Sequence, residues 1–169
     1  MIMSVEEFRA YVPSAAETPD VILEGKLQAA ELMIRKYTNN NFQDRNRRFI
    51  TGISDRAFTE TYPYIKEGDT VQISESKLNN GLYLFSAQNM GLMDEEHCMV
   101  TKVVYPMDVK MGVVNLLKWD LENRDKVGIQ SETISRHAVT YFNMDGDNST
   151  VGYPKSLIGF LKPYRKARF

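Results

Sequence analysis

Gly68-Asp-Thr-Val-Gln-Ile-Ser-Glu-Ser-Lys-Leu-Asn-Asn-Gly-Leu-Tyr-Leu-Phe85 is the stretch that decides the fold. Two β-prone runs, Thr70–Ser74 and Leu82–Phe85, flank Asn79-Asn80-Gly81. Asn-Gly between such runs signals a hairpin, because both central residues of the tight turn need positive φ. Arg48-Phe-Ile-Thr51 and Cys98-Met-Val-Thr-Lys-Val-Val104 supply further strands. Residues 43–104 therefore read as a small antiparallel lobe, with a closed barrel as one form open to it. Its middle, Ser86 to Glu96, reads as a mobile loop.

On either side the apolar period becomes helical. Ser4 and Glu7 make a Ser-x-x-Glu capping box, Phe8, Tyr11 and Val12 give one apolar face, and Pro13 stops a short helix. A second helix opens at Thr18-Pro19-Asp20, with a capping hydroxyl, a first-turn proline and an acid near the positive dipole end. Leu23, Leu27, Ala30, Ile34 and Tyr37 form a narrow stripe along it. The plain reading is a core helix; the sharper one is a subunit interface at Leu23, Leu27, Ile34 and Tyr37. After Tyr105-Pro106 a further helix carries Val109, Val113, Leu116, Leu117 and Leu121 to about Asn123, with Trp119 off that face and covering a seam. Beyond Gly128 the pattern is extended, Val139 and Tyr141 alternating, and Asp145–Ser149 is a polar turn. Pro154 starts a last short helix with Leu157, Ile158 and Leu161, which Pro163 should end or kink.

With 169 residues, 43% apolar and 25% charged, the chain has the composition of a globular protein of one domain, or one domain with an inserted lobe. A net charge of −1 argues against bulk electrostatic binding of nucleic acid, so any such contact is local. Cys98 is the only cysteine, which excludes an internal disulfide and a cysteine-rich zinc site and agrees with assembly in a reducing compartment. Met1–Phe8 has an early acidic pair and no apolar run, so no secretory signal is expected there; no stretch approaches a membrane span.

The charge is uneven. From Asn148 onward there are Lys155, Lys162, Arg165, Lys166 and Arg168 and no acid, interleaved with Tyr153, Leu157, Ile158, Phe160, Leu161, Tyr164 and Phe169. That composition suits a segment that docks on another protein or another copy. Burying its apolar residues could contribute about 1.5–3 kcal/mol each. Exposed ion pairs give about 0–1 kcal/mol, so the charges would set register. A domain folded without its arm is then expected.

Signals for chemistry are poor. Ser131, Glu132 and His137 lack a nucleophile elbow. Asp94-Glu-Glu-His97 offers metal-friendly groups, but consecutive side chains cannot all face one ion. Asn143, Asp145 and Asp147 begin like a calcium loop, yet Asn148 replaces its glycine and Pro154 its glutamate. Arg45-Asn-Arg-Arg48 and Arg165-Lys-Ala-Arg168 are possible phosphate contacts, or solvated faces. No catalytic residue, metal site or cofactor is expected.

The order of parts carries a resemblance. A short helix, a long helix ending in Tyr37-Thr-Asn-Asn-Asn-Phe42, a β insertion, a second long helix, and then Gly128-Ile-Gln-Ser-Glu-Thr-Ile-Ser135 with Val-Thr-Tyr141 resemble the head-to-tail connector (head completion or adaptor) proteins of long-tailed bacteriophages. The ending Gly152-Tyr-Pro-Lys-Ser-Leu-Ile-Gly-Phe-Leu-Lys-Pro-Tyr164 looks like that family's C-terminal arm, in the variety carrying an inserted lobe. The resemblance implies a virion protein at the neck, assembled in the host cytoplasm as a twelve-fold ring beneath the portal protein. It implies a ring that passes double-stranded DNA without sequence specificity and meets a stopper or tail-completion protein, with no membrane and no enzymatic activity. By this analogy the arm from Tyr153, through Pro154, Leu157, Phe160, Leu161, Tyr164, Arg165, Lys166 and Arg168, to Phe169 docks on the portal. The two long helices form the ring wall, with Leu23, Leu27, Ile34, Tyr37 and Trp119 at the subunit interface.

The expected fold is α+β, with a mainly helical connector core at 1–42 and 105–152, a β lobe inserted at 43–104 and a docking arm at 153–169. Two rival classes remain. A nucleic-acid-binding module using the lobe and basic tail predicts steeply salt-dependent DNA affinity. A small enzyme predicts a pocket gathering His137, Glu132 or the acids of 94–97.

Overall fold

The computed structural model describes residues 1–60, 62–126, 131–134, 137–140 and 148–167, with the backbone alone for 126, 131–134 and 137–140. It corrects the expected fold class. The described residues form a curled five-stranded antiparallel sheet and four helices, with 40% helix and 25% strand, so the protein is α+β and not built on a mainly helical core. The physical reason is that the β segment has a complete apolar core of its own. Two compact units result: Met1–Ile2 with Asn41–Tyr105, and Met3–Asn40 with Pro106–Phe169.

The β unit contains β1 (Gln43–Ser54), β2 (Ala57–Phe58), β3 (Thr70–Ser74), β4 (Gly81–Leu84) and β5 (Glu95–Val103). They lie in the order β2-β1-β5-β3-β4. Period-two alternation sends Phe49 and Ile53 of β1, Val71 and Ile73 of β3, and Cys98 and Val100 of β5 into one core with Ile65, Phe85 and Leu92. Tyr62 stacks on Phe49 with centroids 3.6 Å apart.

The hairpin of β3 and β4 exists, but not through an Asn-Gly turn. Ile73 pairs with Gly81, so the connection takes the residues between them, and the positive φ falls on Glu75 at 56°. Side chains shape that loop. Ser76 Oγ accepts from the Asn79 amide at 2.6 Å and donates to the Glu95 carboxylate, which also accepts from the Lys77 amide at 2.6 Å. Ser86 to Glu96 is likewise anchored, where a mobile loop was expected. Leu92 is buried, the Met90 amide donates to the Arg56 carbonyl at 2.9 Å, and Asn79 exchanges two hydrogen bonds with the Met93 backbone.

The other unit holds α1 (Val5–Tyr11), α2 (Asp20–Thr38), α3 (Met107–Asn123) and α4 (Lys155–Ile158), the last running into a 3-10 turn at Gly159–Tyr164. Ser4 caps α1 by accepting from the Glu7 amide, and Phe8 is buried, although Tyr11 is 45% exposed. Thr18 does not cap α2; Pro19 takes the cap position, and the Thr18 carbonyl accepts from Arg9 at 2.6 Å. Asn39 ends the helix in the left-handed region at φ 50°. Two-stranded pairs β6 (Ser131–Ile134) with β7 (His137–Thr140), and β8 (Ser149–Thr150) with β9 (Tyr153–Pro154), follow α3. Tyr141 and the 145–147 part of the polar turn lie outside the described residues, as do Gly128 to Gln130 of the connector-like motif. Pro163 sits inside the 3-10 turn, which ends one residue later.

Candidate interaction surface

The C-terminal arm lies on its own helices. Ile158 and Leu161 are fully buried, Pro154 is buried, and Leu157, Phe160 and Tyr164 are half-buried. The ring of Phe160 sits on the backbone of α3 at Gly112. The Tyr164 hydroxyl donates to the Asp108 carboxylate at 2.7 Å, and its pKa is raised by that bond. The Lys166 amide donates to the Thr38 carbonyl at 2.8 Å, and the Arg165 guanidinium lies 5.4 Å from the Tyr37 ring centre. The arm's described apolar residues are therefore wholly or partly buried inside the unit, and a domain that folds without them does not follow. What the arm offers outward is charge: Lys155, Lys162, Arg165 and Lys166 are exposed, while Arg168 and Phe169 lie outside the described residues.

A buried carboxylate fastens the other end of the arm. Asp120, 5% exposed on α3, accepts from Lys26 of α2 and from Arg124 Nε at 2.6 Å. Arg124 also donates to the Gly152 carbonyl at 3.0 Å and lies over the rings of both Trp119 and Tyr153. Burial alone would raise the Asp120 pKa; the bonds from Lys26 and Arg124 overcome it and hold the carboxyl below its ordinary value. Trp119 thus covers a seam within its own unit, edge-on to Tyr153 at 5.8 Å.

Leu23, Leu27 and Ile34, the proposed subunit-interface stripe, have no exposed surface at all and form the unit's core. They are corrected to core residues, because the narrow stripe is what α2 buries against its own neighbours. Sequence reasoning missed the opposite face. Val21 is 77%, Ile22 48% and Leu32 53% exposed. Three large aliphatics off the main stripe were the signal that could have found it. Leu32 continues into a groove of about 990 Å³ with Met33, Tyr37 and Val151 on its walls and Lys36 and Arg165 adding charge.

In the β unit a pocket of about 770 Å³ is lined by Ile50, Ile53 and Glu60 together with all of Asp94, Glu95, Glu96 and His97. The Glu95 carboxylate is engaged by Ser76, and among the described residues no group of three or more His, Cys, Asp or Glu could hold a metal. Cys98 is buried, its thiol pushed up to about 11 by burial and the Glu95 charge. The side chains of Ser131, Glu132 and His137, and Asn143, Asp145 and Asp147 entirely, lie outside the described residues. No described helix is long and apolar enough to cross a membrane. Compared with known protein families and with curated protein sequences, the chain matches none.

Proposed function

We propose that this chain is a structural connector of a tailed-phage virion, acting through protein contacts in a ring beneath the portal. The exposed aliphatic face of α2 carries the reading. Val21, Ile22 and Leu32 cost solvation on an isolated unit, and such a face is what a heterologous subunit contact, repeated by rotation, covers. The resemblance in order of parts and in the C-terminal segment supports the same assignment. In this reading a neighbouring copy covers the α2 face, the outward cations of the arm meet the portal, and a stopper or tail-completion protein binds distally. No catalytic step is needed.

The test is complementation of a phage lacking this protein, with necks viewed by electron microscopy. Wild-type protein should give tailed particles with a ring at the neck, and Leu32→Asp or Val21→Asp should give filled heads without tails. Tailed, infectious particles from both variants would sink the assignment of the α2 face. Absence of the wild-type protein from the neck would sink the connector reading itself.

A further inference from the structure

Four residues of β1 are left without partners in the middle of a strand pair. Gln43 pairs with Val103 and the next pair is Arg48 with Thr101, so Asp44-Arg45-Asn46-Arg47 stand opposite Lys102 alone. The ladder cannot take them, and they are extruded; bulges re-aim side chains in this way. Asp44 braces the extruded chain from within. Its carboxylate accepts from the Asn46 amide at 3.1 Å and pairs with Arg47 at 3.3 Å. Arg45, Asn46, Arg47 and Arg48 are all exposed, and among the described residues neither Arg45 nor Arg48 has an ion pair or side-chain hydrogen bond. Two guanidinium groups in the bulge, Arg45 and Arg47, and a third on the adjoining ladder residue Arg48, are presented in a chain whose net charge is −1.

We propose that this bulge binds the phosphodiester backbone of duplex DNA without reading sequence. Guanidinium forks match phosphate oxygens bidentately. At about 3.3 Å per residue, 45–48 span at most about 10 Å, a reach that takes in the axial run of three phosphates on one strand, two steps of about 3.4 Å. An acidic protein partner fits less well, because a protein interface needs an apolar centre and positions 44–48 contain no apolar residue. Phosphate backbone needs none. The proposal stands independently of the connector reading, since the bulge belongs to the β unit and its ligand can be offered free in solution.

The probe is a labelled duplex of random sequence, followed by fluorescence anisotropy against the full chain. With three phosphates neutralised, affinity should fall about fortyfold between about 50 and 200 mM salt. The triple variant Arg45→Ala, Arg47→Ala, Arg48→Ala should lose at least about tenfold in affinity at the lower salt, and most of the salt dependence with it. Retained protection of Cys98 from a thiol reagent shows that the variant's lobe is folded; if it unfolds, Arg45→Ala with Arg48→Ala, which keeps the Asp44–Arg47 brace, is read in its place. Replacing Lys155, Lys162, Arg165 and Lys166 by Ala should leave binding unchanged. Absence of binding by the wild type at low salt, equal binding by the arginine variant, loss of binding in the tail variant, or equal affinity for polyglutamate would each overturn the assignment.

Discussion

Phe160 and Gly112 are matched by subtraction: a Cβ on Gly112 would stand closer than 3.0 Å to three atoms of the Phe160 ring. The arm lies on α3 because that position has no side chain. In a free helix Gly→Ala is stabilising by about 1 kcal/mol. Here crowding costs about 1–3 kcal/mol and opposes the gain. Gly112→Ala is expected to lower stability by up to about 2 kcal/mol in urea and expose the arm to proteolysis. A variant more stable than wild type would mean that the arm does not rest on α3.

Asp120 makes acid stability depend on one carboxylate. Its folded pKa lies below the unfolded value of about 3.9, so its contribution is complete above that value and is lost as pH falls through the folded one. Asp120→Asn should flatten the stability profile below about pH 4. At neutral pH it should cost about 2 kcal/mol. That is less than the 3–5 of a fully enclosed pair, because Lys26 and Arg124 are 32% and 40% exposed. Thermal denaturation of both proteins across pH 3–7 reads the difference, and parallel profiles would contradict it.

Glu95 organises the β3–β4 connection with its carboxylate. Backbone bonding from Lys77, then the Ser76 hydroxyl, lowers its pKa, so the order it imposes is present above the ordinary glutamate pKa and lost on acidification. Glu95→Gln should speed hydrogen exchange at Lys77 and Asn79 while Val71 and Val100 keep their protection. Unchanged exchange in the connection would show that Ser76 and Asn80 hold it alone.

Cys98 reports on the lobe core. Buried and poorly ionised, with a pKa of about 11, its thiol should stay unlabelled by a disulfide reagent at pH 8 and react once denaturant opens the β unit. Rapid labelling of the native chain would contradict the packing of β5 against β1 and β3.

Much of the architecture was legible because its signals are local. The Ser4 cap of α1, the stop at Asn39, and both apolar stripes of α2 and α3 follow from periodicity and backbone chemistry, although the Glu7 carboxylate pairs with Lys110 where a reciprocal capping box was expected. The β lobe announced itself through alternating runs, but Asn80-Gly81 pointed to the wrong turn. There, Glu95, distant in sequence, outweighed local propensity. The arm's packing on its own helices went unread for a related reason. A segment rich in both aromatics and cations fits docking on a partner and docking on its own chain equally well, and only the missing Cβ of Gly112 and the carboxylate of Asp108 distinguish the two. The weight of the β unit was underestimated because a sheet core assembles from runs too short to look dominant. The exposed face of α2 escaped notice because three scattered aliphatics do not make a periodic pattern.

Between Asn41 and Tyr105 the chain leaves and rejoins the helical part across a single rung: the Val104 amide donates to the Phe42 carbonyl at 2.9 Å, one residue from the Gln43–Val103 pair. The two ends of the β segment are thus neighbours, so a genetic exchange that trims or replaces everything between them leaves a gap that a few residues can bridge. The lobe is wired into the chain as a cassette, with its entry and exit side by side.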